Sequence, residues 1–139
     1  ENTITSYTIM YLAAIHSIAY GTRHIIEEMN RNGHALKIIS ACGGGSKNAL
    51  WLQEHANITG CDIYLPQEEE AVLLGTAMLS ACAAGKYPTL IDACQNMSGT
   101  GRIIKPDSSH TSFHDSKYRV FKLMYAHQKE YKSIMGQNT

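Results

Sequence analysis

Gly43, Gly44 and Gly45 stand in a row, followed by Ser46, Lys47 and Asn48, between an apolar run (35–42) and a helical pattern (48–60). Unpaired backbone N–H groups at the start of a helix carry partial positive charge and attract phosphate, and glycine lets the phosphate come close. The chemistry on offer is therefore anion recognition by the main chain. Three readings fit the stretch unequally. A Walker A loop needs lysine followed by serine or threonine, whereas here Ser46 precedes Lys47 and Asn48 follows it. A dinucleotide fingerprint needs G-x-G-x-x-G and a ribose-binding acid further on. Gly43 and Gly45 fit and Asp62 is a candidate acid, but Asn48 occupies the place of the third glycine. The third reading is a tight turn alone, with Ser46 or Lys47 near a helix cap. The pattern by itself leaves the turn and a nucleotide contact both open.

Few other residues compose a reactive set. Cys42, Cys61, Cys82 and Cys94 show no two-residue spacing of a zinc ribbon or redox motif. They read as reduced, buried thiols of a cytosolic protein. His110 and His114 are four apart, but no glutamate follows His110 as a zinc protease requires, so both are expected to be exposed or capping. His16, His24, His34 and His55 are scattered and suggest no common site. No catalytic residue and no metal ligand is therefore assigned. Glu70 is a candidate brace for the glycine loop. Trp51 and Tyr64 read as core, while Gly21 and Gly75, inside helical patterns, suggest close packing.

The elements that must position the glycines follow from periodicity. Apolar residues step by three and four from Ile4 to about Asn30, the mark of a long helix with one buried face, and Gly33 is placed to cap it. The run 35–42 reads as a buried strand. After the loop, 48–60 is helical and ends near Gly60, and 61–66 is a second strand that Pro66 stops. Residues 67–85 read as a helix with three acids in its first turn and Gly85 at its end. A shorter helix (89–97), a small strand or extended link from Gly101, and an amphipathic helix (113–135) complete the order. Strands alternating with helices predict α/β architecture with a parallel strand pair.

The 139 residues have the size of one domain. Twelve basic residues balance twelve acidic ones, without the excess or stripe that nucleic-acid binding needs. No apolar stretch reaches the length of a membrane span, and no signal peptide is visible. The chain begins with Glu1 rather than Met, directly before a helical pattern, as a processed chain or a piece of a longer protein would.

The stretch "GGGSKN", then "ANITG", "DIYLP" and "EAVLLGTAM", resembles the C-terminal half of the FGGY carbohydrate kinases. That family has Gly-Gly-(Gly or Ala)-x-x-Asn, a helix, A-D-I-x-G, a short strand ending in Pro, then E-x-x-x-x-G-A-A. Asn57 and Thr76 depart mildly, standing where the family usually has Asp and Ala. The helices on either side also resemble the family, most nearly its pentulose (D-ribulose) kinase branch. The resemblance implies an actin-like, ribonuclease H-like ATPase fold, with residues 1–139 forming most of the C-terminal, nucleotide-side domain. It implies ATP with magnesium as cofactor, a sugar substrate, a cytoplasmic setting and possible homodimers, without nucleic-acid or membrane partners. Gly44 and Gly45 would meet the nucleotide through their backbone, Asn48 through its side-chain amide, and Gly43 and Ser46 would shape the loop. The family's D-x-G-T phosphate loop and catalytic aspartate have no counterpart here, so the base, the sugar site and the magnesium ligands are expected in another domain. A dinucleotide-binding module and a non-catalytic helical interaction domain are the alternatives.

Overall fold

The computed structural model describes residues 3–99 and 101–136. Helix α1 (Thr3–Arg31) leads into strand β1 (Ile38–Ser40), a 3-10 turn (Gly44–Lys47), helix α2 (Ala49–Thr59) and strand β2 (Asp62–Leu65). Helices α3 (Ala71–Ala83) and α4 (Leu90–Met97) follow, then strand β3 (Arg102–Ile104), a second 3-10 turn (Ser108–His110) and helix α5 (Thr111–Gly136). The sheet has the order β1-β2-β3. Ile39 pairs with Ile63 in the parallel ladder β1–β2, and Tyr64 pairs with Ile103 in the antiparallel ladder β2–β3. The expected parallel pair is present, and the third strand makes the sheet mixed.

Helix α2 lies between two apolar clusters. Ile58 packs with Ala19 and Tyr20 of α1 and Tyr118 of α5, with half-buried Phe121 beside them. Leu52 and Ala56 pack against Ile63 and Leu65 of β2, joined by Ala41, Trp51 and Ile104. Burial on both sides explains why α2 carries buried residues at 55, 56, 57 and 58 in succession rather than on one stripe. Asn57, in this interior, is satisfied: its Oδ1 accepts from the Asp107 N–H at 2.8 Å and from Gln53 Nε2 at 2.9 Å. Gly60 ends the helix in the left-handed region at φ 69°.

The outer helices are less covered than their periodicity predicts. On α1 the buried residues are Ile15, His16, Ala19 and Tyr20, whereas Ile4, Tyr7, Met10, Tyr11, Ile18 and Ile25 of the expected buried face are exposed. On α5 the apolar flank is buried only at Tyr118 and half-buried at Phe121; Met124, Tyr125, Tyr131 and Met135 are exposed. Helix α3 is apolar all round, yet Val72 and Leu73 are 82% and 67% exposed.

Further expectations need correction. The acids of "QEEE" precede α3 rather than entering its first turn, and Glu68 Oε1 accepts the Glu70 N–H at 3.1 Å. A side chain added at Gly21 or Gly75 would meet no described atom within 4 Å, so neither glycine is required by a close helix contact among the described residues. Of the four thiols only Cys61 is buried; Cys82 is half-buried, Cys42 is exposed on the loop after β1, and Cys94 is exposed although its Sγ lies 3.7 Å from Met78 Sδ. His114 is buried rather than exposed, since α5 lies across α1 and α2 at that point. Trp51, expected in the core, is half-buried at the margin of the α2–β2 cluster, and Tyr64, also expected there, is half-buried. No described helix is long and apolar enough to cross a membrane.

Candidate nucleotide site

The glycine loop leaves the carboxyl end of β1, and the chain after β2 passes beside it, so both parallel strands deliver their ends to one place. Open α/β sheets bind ligands outside the carboxyl ends of their strands. A cleft of about 290 Å³ lies there, lined by residues that include Cys42, Ser46, Pro66, Gln67, Glu69 and Arg102.

Gly43 makes the turn. Its φ of 85° lies in the region that side chains rarely adopt. Its carbonyl accepts from the Ser46 N–H at 3.0 Å and the Ser46 hydroxyl at 2.6 Å, which closes the loop on itself. Gly44 differs in kind. Its φ is not positive, and a Cβ placed on it would meet no described atom within 4 Å. At Gly45 a Cβ would make ordinary contact with the Trp51 ring at 3.8 Å. The N–H groups of Gly44 and Gly45 reach no acceptor among the described residues. Two adjacent free donors in a tight turn are the makings of an anion nest.

Asn48 is structural in this conformation. Its Oδ1 accepts the Trp51 N–H at 3.1 Å, capping α2, and its Nδ2 donates to the Tyr11 hydroxyl at 2.8 Å. One N–H and one lone pair of the amide remain for a ligand. Beneath the loop the Trp51 ring stacks on His55 at 3.6 Å between centroids, and His55 Nδ1–H donates to the Trp51 carbonyl at 2.8 Å. Burial holds the His55 imidazole below its usual range, against the pull of that hydrogen bond and the Glu54 charge.

Charge at the cleft comes from residues the sequence did not single out together. Lys47 Nζ lies 4.0 Å from Glu69 and 3.9 Å from Glu70, with all three side chains mostly exposed. Such surface pairs are worth about 0–1 kcal/mol, so the expected bracing by Glu70 is weak. Arg102 lines the cleft and makes no ion pair among the described residues. Its placement depends on the antiparallel β2–β3 pairing, which no local pattern announces. Gly101 makes that pairing possible: a Cβ there would collide with the Leu65 carbonyl oxygen and lie 2.7 Å from the Tyr64 ring.

Of the five candidate residues, Ser46 lines the cleft; Gly43, Gly44 and Gly45 precede it in the loop and are not part of the lining, and Asn48 stands at the head of α2. A second cluster went unseen: His16, Glu54 and His114 meet between α1, α2 and α5. Their sequence separations carry no motif, and only the packing of three helices brings them together.

Residues 3–84 match the C-terminal domain of the FGGY family of carbohydrate kinases, more than half of the chain. The FGGY carbohydrate kinase domain-containing protein of Xenopus laevis is 49% identical over 127 residues, covering 91% of this chain and 23% of that protein. A ribulokinase of Geobacillus thermodenitrificans is 31% identical over 133 residues, covering 85% of this chain and 23% of that protein. The chain thus spans about a quarter of the length of the curated relatives it matches. Among solved structures, the xylulose kinase of Lactobacillus acidophilus superposes with a TM-score of 0.72 at 20% identity, over 90% of this chain and 26% of that one. The fold is accordingly the actin-like, ribonuclease H-like one that the motifs imply. The chain belongs to the FGGY family of carbohydrate kinases.

Proposed function

We propose that residues 1–139 form most of the nucleotide-side domain of a kinase that transfers the γ-phosphoryl group of ATP to a sugar hydroxyl, the sugar being a pentulose such as ribulose or xylulose. Family membership supports the phosphoryl transfer. The ribulokinase and xylulose kinase relatives support the sugar class. The uncovered apolar faces of α1, α3 and α5 support assignment to one part of a larger protein, since a helix that is apolar all round is normally buried.

The observation that carries the site assignment is Gly44. Neither backbone strain nor packing among the described residues requires glycine there, and its N–H is free. Close approach of a ligand to the main chain is the remaining reason for the residue. In this reading Gly44 and Gly45 donate to phosphate oxygens, Gly43 and Ser46 hold the turn, and Asn48 offers its spare amide hydrogen. Arg102 and Lys47 supply positive charge to the cleft. Among the described residues the cleft offers magnesium one lining carboxylate, Glu69, and Lys47 lies near it. In this reading the metal's carboxylates belong to another part of the protein, and the metal they hold would neutralise charge on the phosphates.

Steady-state kinetics of the full-length protein with D-ribulose, D-xylulose and Mg-ATP test the reading. Gly44→Val is expected to raise KM for ATP and leave KM for the sugar near its wild-type value. Equal damage to both constants, or sugar-independent NAD binding at the loop, would overturn it.

A further inference from the structure

Away from the glycine loop, three ligand atoms converge from three helices. His16 on α1, Glu54 on α2 and His114 on α5 each direct one donor atom inward, and these atoms all lie within 4.8 Å of one another. His16 Nε2 is 2.8 Å from Glu54 Oε2, and His114 Nε2 is 3.6 Å from the same oxygen. The site is largely closed: His114 is 3% exposed, His16 9%, and the Glu54 side chain 16%. Glu54 has no lysine or arginine partner among the described residues, so this withdrawn carboxylate faces only two imidazoles. A carboxylate removed from water needs a cationic partner to offset its desolvation.

A His16–Glu54 hydrogen bond accounts for the 2.8 Å contact, but not for the approach of His114. At 3.6 Å its Nε2 is too far from Glu54 for a hydrogen bond. Ligand atoms about 2.0–2.2 Å from a tetrahedral zinc ion stand roughly 3.3–3.5 Å apart, so the spacing suits shared coordination. The opposite nitrogen of the ring, Nδ1, lies 3.1 Å from the Tyr20 hydroxyl. Metal-binding histidines are oriented in this way by an outer partner on the other ring nitrogen. The donor set of two imidazoles and one carboxylate suits zinc and its neighbours, and does not suit magnesium or calcium, which favour all-oxygen sets.

We propose that His16, Glu54 and His114 bind a divalent transition-metal ion, with zinc as the best match, and that the ion pins α1, α2 and α5 together. The two imidazoles ligate through Nε2 and the carboxylate through Oε2, leaving one position for water. His16 and Glu54 separate by roughly half an ångström to make room, given the ligand spacing around zinc. On binding, His114 Nδ1–H donates to the Tyr20 oxygen, and any proton on an Nε2 atom leaves to solvent. The site joins residues far apart in sequence, so occupancy stabilises the folded state over the unfolded one. It does not depend on the nucleotide assignment.

Cobalt(II) is the direct probe, because it substitutes for zinc and has visible d–d bands. Tag-free full-length protein, stripped with chelator, is titrated with Co²⁺ and then with Zn²⁺. The expected result is a band that saturates at one equivalent, lacks near-ultraviolet thiolate charge transfer, and is displaced by zinc. The thermal midpoint rises with zinc. Glu54→Gln and His114→Gln are expected to abolish the band. Tyr20→Phe is expected to keep the fold, checked by circular dichroism, and to weaken Co²⁺ binding by about 10–100-fold. Because the wild-type titration needs no variant, it decides the matter even if Glu54→Gln or His114→Gln fails to fold. No saturable band in the wild-type protein, a thiolate band, or an unchanged band in folded His114→Gln overturns the proposal.

Discussion

Asn48 has two separable jobs, and substitutions at this one position divide them. Its Oδ1 caps α2 through the Trp51 N–H, and its Nδ2 ties the loop to Tyr11 of α1. Removing an asparagine cap costs about 0.5–2 kcal/mol. The bond to Tyr11 adds about 0.5–1.5 kcal/mol, toward the lower end because Tyr11 is 52% exposed. Asn48→Ala is therefore expected to destabilise the protein by ~2 kcal/mol, even without ligand. Asn48→Asp keeps a cap acceptor, adds a charge that the helix dipole favours, and exchanges the amide donation to Tyr11 for acceptance of the Tyr11 hydroxyl proton, so its stability should stay near wild type. The same carboxylate would stand near an incoming phosphate. At about 6 Å and an effective dielectric near 20, repulsion approaches 3 kcal/mol per unit charge, or roughly 100-fold in affinity before screening. Chemical denaturation of both variants, with KM for ATP and sugar measured on the same preparations, gives the assay. Asn48→Ala with stability within ~0.5 kcal/mol of wild type would refute the cap, given its usual worth. A stable Asn48→Asp with unchanged ATP affinity would refute the proximity of phosphate.

Gly44→Ala should leave stability unchanged or raise it by about 0.4–1 kcal/mol, since the backbone is permissive and the added methyl meets nothing. Its ATP affinity should nonetheless fall, and thermal melting beside ATP titration reads both. Gly101→Ala should cost at least about 1–3 kcal/mol in denaturant melts, because the methyl meets the Leu65 backbone rather than a movable side chain. Glu27 gives an acid-side signature. Burial pushes its carboxyl up, but hydrogen bonds from Arg23 and Tyr118, with the charges of Arg23 and Lys122, bring it below the ordinary 4.5. A folded carboxyl held below its unfolded value contributes stability that is complete above about pH 4.5 and is lost as pH falls through the lowered value. Glu27→Gln should therefore flatten that acid limb of the stability–pH curve, and an unchanged limb would show that Glu27 is not its source.

Much of the fold was legible because its signals are local. Gly33 and Gly60 stand at helix ends, Pro66 stops β2, and the period of three and four marks α1 and α5. The parallel β1–β2 pair followed from the alternation of strand and helix. What periodicity does not encode is which apolar face is covered. Ile4, Met10 and Val72 have helical spacing suited to burial, yet all three are exposed. The candidate loop was legible as glycines, but the division of labour among them was not. Only backbone angles distinguish Gly43, which the turn requires, from Gly44, which it does not. Asn48 was read as a ligand contact from the family resemblance, and the donor and acceptor capacity of its amide also makes it a cap. His16 and His114 were invisible as a pair because their meeting at Glu54 depends on how α1 and α5 cross α2.

Amide hydrogen exchange across 43–48 of the full-length protein, with and without Mg-ATP, addresses the central claim at the atoms concerned. The Gly44 and Gly45 N–H groups have no acceptor among the described residues, so they should exchange freely without nucleotide. Phosphate oxygens seated on the loop should slow both, with the sugar alone having no effect. A protein that consumes Mg-ATP on ribulose or xylulose while exchange at Gly44 and Gly45 stays unchanged would contradict the account.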